Sequence, residues 1–158
     1  MNEFITFIIS ALPLSELRGA IPLAILKFGF SPAKALLISF LGNVLPVLPL
    51  LIGIEKVSEY LIHRFHWFNR FFGWLFERTR RKHKNHFHYF GDLALFLFVA
   101  VPLPLTGAYS GVVAAFIFGV PKNHAFWSII SGVMAAGLIV TFLTVFGINL
   151  FEFINSTL

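Results

Sequence analysis

Pro13-Leu14-Ser15-Glu16-Leu17-Arg18-Gly19-Ala20-Ile21-Pro22 is a short polar break in a long apolar stretch. A second break, Pro102-Leu103-Pro104-Leu105-Thr106-Gly107-Ala108-Tyr109-Ser110-Gly111, interrupts another. Each is followed by a similar turn, Phe28-Gly29-Phe30-Ser31-Pro32 and Phe118-Gly119-Val120-Pro121. Pro13 and Pro102 are 89 residues apart, Phe28 and Phe118 are 90, and Pro32 and Pro121 are 89. An internal repeat whose halves are broken by Pro and Gly at matching places is the pattern of a membrane transport site.

The composition requires an apolar solvent. The 158 residues are 58% hydrophobic and 12% charged, and the mean hydropathy is +0.84. A soluble domain carries about 25% charged residues, so this chain has too little polar surface to coat a water-soluble globule. Its 21 Phe suit a lipid-facing surface. There is no cysteine, which excludes disulfides and thiolate chemistry. Met1-Asn2-Glu3 lacks the basic residue of a signal peptide, so the N-terminus reads as mature.

Residues 4–12 and 17–28 are each too short to cross a bilayer at about 1.5 Å per residue. As one span they would bring Ser15, Glu16 and Arg18 to its middle, at about 2.5–3.5 kcal/mol per charge. A re-entrant hairpin covered by protein removes that penalty. Residues 92–101 and 106–118 mirror it, with a tip at Pro102 to Gly107. Clean spans follow each hairpin, over 33–54 and within 122–150. The first holds Gly42, Asn43, Pro46, Pro49 and Gly53 and should kink. In the second, Ser128, Gly132, Ala136 and the neighbouring Gly137 form a small-residue stripe suited to helix packing. Gly42 suits close packing too, and Asn43 could bond across to a hairpin.

Between the halves the pattern changes. Polar residues or glycine recur at Lys56, Glu59, His63, His66, Arg70, Gly73 and Glu77, and apolar ones at Val57, Leu61, Phe65, Phe68, Phe72 and Leu75. Residues 56–78 therefore read as an amphipathic helix lying in the interface plane. Eight of the twelve Lys and Arg fall between Lys56 and Lys84, which puts this linker in the cytoplasm by the positive-inside rule. Both termini then lie outside and the repeats are inverted. The expected architecture is an all-α integral membrane domain over 1–158. It comprises a first repeat (1–55), a basic linker (56–90) and a second repeat (91–158), each repeat being a re-entrant hairpin followed by a transmembrane helix.

Glu16 and Arg18 are the only charges in the apolar part of the first hairpin. They read as an intramembrane proton carrier beside an anion holder, or as an ion pair stapling the tip. Residues two apart do not face each other on a helix, so direct pairing needs irregular backbone. Thr106, with Gly107, and Ser15 suit N-caps, whose helix ends can receive an anion. Tyr109 and Ser110 could line a polar path or make a buried hydrogen bond. Pro13, Gly19, Pro22, Pro102 and Pro104 shape the tips and belong to the same candidate pathway. His83, His86 and His88 have no carboxylate beside them and are flanked by Lys and Arg, which argues against a metal site. The basic run Arg78–Lys84 is explained by topology and lipid headgroups rather than nucleic acid. No hydrolase triad, phosphate-cradling loop or dinucleotide fingerprint is present, so no enzyme and no cofactor is expected.

At Glu16-Leu17-Arg18-Gly19-Ala20-Ile21-Pro22 and at Pro102 to Gly111 the chain resembles the putative small multidrug export protein family. The resemblance covers nearly the whole chain. That family is related to the wider DedA/VTT group, which implies paired re-entrant hairpins in inverted repeats. The second motif of the family reads Pro-x-Pro-Gly-Thr-Gly, and Leu105 stands here where its Gly is expected, which implies a less tight tip. The expected function is proton-coupled export of small or amphipathic molecules by a homodimer in a prokaryotic inner membrane. A carrier or flippase of an anionic lipid-phosphate is the alternative within transport. A scaffolding membrane protein without cargo is the alternative outside it.

Overall fold

A computed structural model describes residues 1–54, 87–103 and 106–157. Every regular element among them is a helix. Helix α1 is Asn2–Ala11, α2 is Glu16–Leu26 and α3 is Pro32–Val44. A helix over 47–54 (α4) follows α3 after a turn at Leu45 and Pro46. Then come α5 (Phe87–Ala100), α6 (Ala108–Phe118) and α7 (Lys122–Thr157). The predicted amphipathic helix over 56–78, His83, His86 and Pro104 lie outside the described residues, whereas His88 falls in α5.

Local chemistry sets the boundaries. Leu12 precedes Pro13, and proline's Cδ pushes the residue before it out of the helical region. Leu12 accordingly takes φ −82°, ψ 139°, and α1 stops. Ser31 is extended for the same reason, and Pro32 opens α3 at a position where its missing N–H is not needed. Pro46 has no N–H for the carbonyl of Gly42, which explains the break between α3 and α4. At the end of α6, Gly119 takes a left-handed φ of 67°. Its N–H donates to Phe116 and that of Val120 to Ala115, the double bond of a glycine C-cap. Gly29 takes the same φ after α2. The segment Pro32–Ile54 and α7 as far as Asn155 are each long and apolar enough to cross a membrane.

The described chain divides into two compact units, of which the first is discontinuous in sequence. One is Met1–Leu45 with Val133–Leu158; the other is Pro46–Gly132. In the first unit α1, α2 and α3 pack on one another. Glu3 at the start of α1 forms an ion pair with Lys34 at the start of α3. Further on, a methyl group added to Gly42 would run into the Phe7 carbonyl and the Ser10 hydroxyl. The starts and ends of α1 and α3 therefore match, and the two helices run in the same direction. The later part of α7 closes the unit: a Cβ on Gly137 would fall 2.6 Å from Leu36 Cδ1, with Leu17 and Ile21 next nearest.

The second unit repeats this plan. Asp92 on α5 pairs with His124 on α7 at 2.7 Å. A Cβ on Gly132 would lie 2.9 Å from the Phe96 carbonyl and 2.8 Å from Val99 Cβ. Gly111 on α6 meets Val99 and Ile129 in the same way, at 2.7 and 3.3 Å. Position by position, Glu3, Phe7 and Gly42 in one unit correspond to Asp92, Phe96 and Gly132 in the other.

Burial fixes the register, and it shifts along the chain. In the first helix of each unit Thr6 and Ser10 match Leu95 and Val99, all buried, at a separation of 89 residues. In the second helix Leu17, Ile21 and Ala24 match Ala108, Val112 and Ala115, at 91. In the third, Ala35 and Ser39 match Ala125 and Ile129, at 90. The proline landmarks are therefore not all structural equivalents. The first backbone bond of the third helix runs from Ala35 to Ser31 in one unit and from Ala125 to Pro121 in the other. Ser31, not Pro32, is the partner of Pro121.

Two boundaries and one helix face differ from the sequence expectation. Helix α5 begins at Phe87, inside the segment assigned to the linker. Helix α7 runs to Thr157 rather than ending near 150. The buried stripe of α7 is Ala125, Ile129, Val133, Ala136 and Val140. Gly132 and Gly137 adjoin it, whereas Ser128 is only half-buried and lies off it.

Candidate functional site

The candidate site grows from the turn between α1 and α2. The backbone reverses over Leu12, Pro13, Leu14 and Ser15. Ser15 occupies the N-cap position of α2 but makes no side-chain cap bond. Its hydroxyl donates 2.6 Å to the carbonyl of Ile9, ending α1 instead of starting α2. The expected capping role is thus replaced by one on the preceding helix. Serine side chains bond readily to nearby backbone, and here an orphan carbonyl is the nearer partner.

Glu16 follows. It has φ 47°, which makes it the one described non-glycine residue with a left-handed backbone. Its surface is 8% exposed. A side chain in that backbone region adds roughly 1–2 kcal/mol of strain. Such a residue persists only when its surroundings hold it there, and such residues gather at functional sites. Arg18, half-buried, lies within electrostatic reach of Glu16. The irregular backbone at Glu16 meets the requirement for two residues so close in sequence to interact. Gly19 is exposed on the next turn, and an added Cβ would lie 3.1 Å from that of Ser15. Pro22 sits one turn past Arg18 on the same stripe of α2. It lines a groove of about 820 Å³ with Leu26 and with Leu143, Thr144, Gly147, Ile148, Phe151 and Asn155 of α7.

In the other unit, Pro102, Thr106, Gly107, Tyr109 and Ser110 make a turn of different chemistry. Thr106 is not the cap of α6; Gly107 holds that position. The Thr106 hydroxyl lies 2.7 Å from the Val101 carbonyl and 2.9 Å from that of Leu103, and it accepts from the Leu103 N–H at 3.2 Å. Ser110 Oγ accepts from the Gly107 N–H at 2.8 Å. Thr106 and Ser110 therefore both serve the turn itself. By the register above, Ser15 matches Thr106, Glu16 matches Gly107 and Arg18 matches Tyr109. The second turn carries no charge at the matching positions.

Behind the first turn lies a polar seam that sequence reasoning missed. Thr6 and Ser10 on α1 and Ser39 and Asn43 on α3 are all fully buried. Thr6 and Ser10 donate to the carbonyls of Asn2 and Phe7, each at 2.9 Å. Ser39 Oγ and both polar ends of the Asn43 amide are buried without a hydrogen-bond partner. Asn43 thus makes no bond to the hairpin, contrary to the sequence expectation. The available signal was the four-residue spacing of polar residues, Thr6 to Ser10 and Ser39 to Asn43, along otherwise apolar helices.

Among the described residues, fold and site define a helical protein with two apolar helices of membrane-crossing length and a buried acid at a helix start. Residues 16–139 match the family model described as putative small multi-drug export protein. The chain belongs to that family. Searches among functionally curated proteins and among solved structures gave no match.

Proposed function

We propose that this chain is a proton-driven exporter of small or amphipathic molecules, embedded as a multi-pass protein in a prokaryotic inner membrane. Glu16 is the proton carrier and Arg18 the group that holds an anionic part of the cargo. One observation carries the reading: a buried carboxylate is kept in a strained left-handed backbone, with a cation two residues away. The matching Gly107 of the second turn is extended, with φ −174°, so the left-handed strain is a feature of the first turn. The family description supports export. Ionisable groups at membrane depth serve transport by default.

In this reading each unit's first two helices form a re-entrant hairpin, the repeats are inverted, and the basic linker faces the cytoplasm. The working unit is a homodimer. Leu14 at the first turn is 99% exposed within the single chain, and irregular backbone at membrane depth is stable only under protein or water. The groove favours a second reading, export of an anionic lipid-phosphate. Arg18, Pro22 and Leu26 share one stripe of α2, so a cationic head would adjoin a largely apolar channel.

Flux into proteoliposomes under a proton gradient tests both. The cargo panel holds amphipathic cations and polyprenyl phosphates. Glu16→Gln keeps shape and hydrogen bonding, so the variant should fold but lose gradient-driven flux. Arg18→Lys should weaken anionic cargo specifically, because the planar fork is lost while the charge remains. Undiminished gradient-driven flux in a folded Glu16→Gln protein would remove Glu16 as the carrier.

A further inference from the structure

We infer that the polar seam between α1 and α3 is a water path that carries protons between the surface at the Glu3–Lys34 pair and Glu16 at the turn. This deepens the reading of Glu16 as a proton carrier and rests on it.

The geometry gives the path its two ends. Glu3 and Lys34, both exposed, join the starts of α1 and α3. Gly42 lies against Phe7 and Ser10, so Asn43, one residue further, comes level with the end of α1. Glu16 starts α2 five residues beyond that end. Between the two levels stand Thr6, Ser10 and Ser39, one hydroxyl per turn on the facing stripes. The titratable or permanently charged groups described on these three helices are Glu3 and Lys34 at the outer end, Glu16 and Arg18 at the inner end, and Lys27 at the far end of α2.

Unpaired polar atoms supply the second argument. A buried donor or acceptor without a partner destabilises by about 1–3 kcal/mol. Ser39 contributes one such atom and Asn43 two. The second unit shows that the fold does not need them. At the matching positions Leu95, Val99 and Ile129 of that unit, and Val133 next after its end, are all buried and apolar. In the first unit the seam is closed and holds polar atoms that water would satisfy. Displacing α1 from α3 admits that water, and a buried water typically finds two to four polar partners. A hydroxyl-and-water file then passes protons without moving a charged side chain. The closed seam keeps the path shut when Glu16 is not exchanging.

Thiol accessibility reads this directly, because the chain has no cysteine. Ser39→Cys, Asn43→Cys, Ile129→Cys and Val133→Cys would be made singly in the full chain. The proteoliposomes carry a proton gradient, and the probe is a small water-soluble methanethiosulfonate. Cysteines at 39 and 43 should react at least tenfold faster than those at 129 and 133. Equal, slow reaction at all four would overturn the path. Ser39→Cys changes a single atom and keeps the measurement available if the Asn43 variant folds poorly. Proton uptake followed by an internal pH dye gives an independent readout. Asn43→Val, the residue at the matching position of the repeat, should slow uptake at least tenfold with Glu16 in place; an unchanged rate also overturns the path. The two readings fail separately. Full gradient-driven flux in Glu16→Gln removes the carrier, whereas Glu16-dependent flux with unreactive cysteines removes only the path.

Discussion

The two units share one scaffold and differ in what fills it. Both have an acid–base pair between the first helix and the start of the third, Glu3–Lys34 and Asp92–His124. Both have a glycine that lets those helices approach to backbone contact, Gly42 and Gly132. The first unit then fills the seam with Thr6, Ser10, Ser39 and Asn43, where the repeat has Leu95, Val99 and Ile129 in the second unit and Val133 next after it. It starts its second helix on a buried, left-handed glutamate, where the other has an extended glycine. Position and packing are thus common property. At these four seam positions polarity is confined to one copy, and it is the copy with the charges at its turn.

The largest contrast should come from the two seams. Ile129→Ala removes a fully buried branched side chain and should destabilise by about 2–5 kcal/mol. Ser39→Ala removes a buried hydroxyl that has no partner and should be neutral or mildly stabilising. Thermal unfolding in detergent compares them, and equal losses would mean that the seams are energetically alike.

The glycines test the shared scaffold. Gly42→Ala and Gly132→Ala each drive a methyl group into a backbone carbonyl of the neighbouring helix. Each should lose about 1–3 kcal/mol, as overpacking does. A tolerant Gly42→Ala would show that α1 shifts easily from α3.

A smaller effect is expected at the turn. Glu16→Gly installs the residue of the second unit and should release roughly 1–2 kcal/mol of backbone strain. The variant should melt higher and transport nothing. A lower melting temperature would instead make Glu16 a structural staple.

The smallest effect concerns acid. Lys34 holds the Glu3 carboxyl below its ordinary range, by hydrogen bond and by charge. A folded-state value below the unfolded one stabilises above the unfolded value and is lost as pH falls through the folded one. Wild type should therefore lose more melting temperature between pH 6 and pH 3 than Lys34→Gln does. Glu3 is fully exposed, so solvent screens the pair and the difference should be slight.

Much of this was legible because proline and glycine punctuate helices by covalent geometry. Pro13, Pro32 and Pro46 mark ends or starts that follow from a missing N–H or a crowded neighbour. The same residues misled the register. They sit in turns, and turns absorb insertions, so the second copy has two more residues at its tip and one fewer before its third helix. Ser15 and Thr106 were misread for a different reason. A hydroxyl beside a helix start also stands beside the end of the previous helix, and sequence does not tell which orphan group it reaches. The polar seam escaped because single Ser and Thr in apolar helices ordinarily bond their own turn, as Thr6 and Ser10 do. Only packing reveals that Ser39 and Asn43 lack partners.

The discontinuous make-up of the first unit has a consequence for how the chain is made. That unit comprises residues up to Leu45 and from Val133 onward. Its Leu17, Ile21 and Leu36 meet their cover only at Gly137, 101 residues after Leu36. Helices α2 and α3 must therefore wait, partly uncovered, while the whole second unit leaves the ribosome. A chain halted at Gly132 would contain every residue of the second unit and still lack the lid of the first. Enclosure thus runs against the order of synthesis: α2 and α3 are translated before the second unit and covered after it.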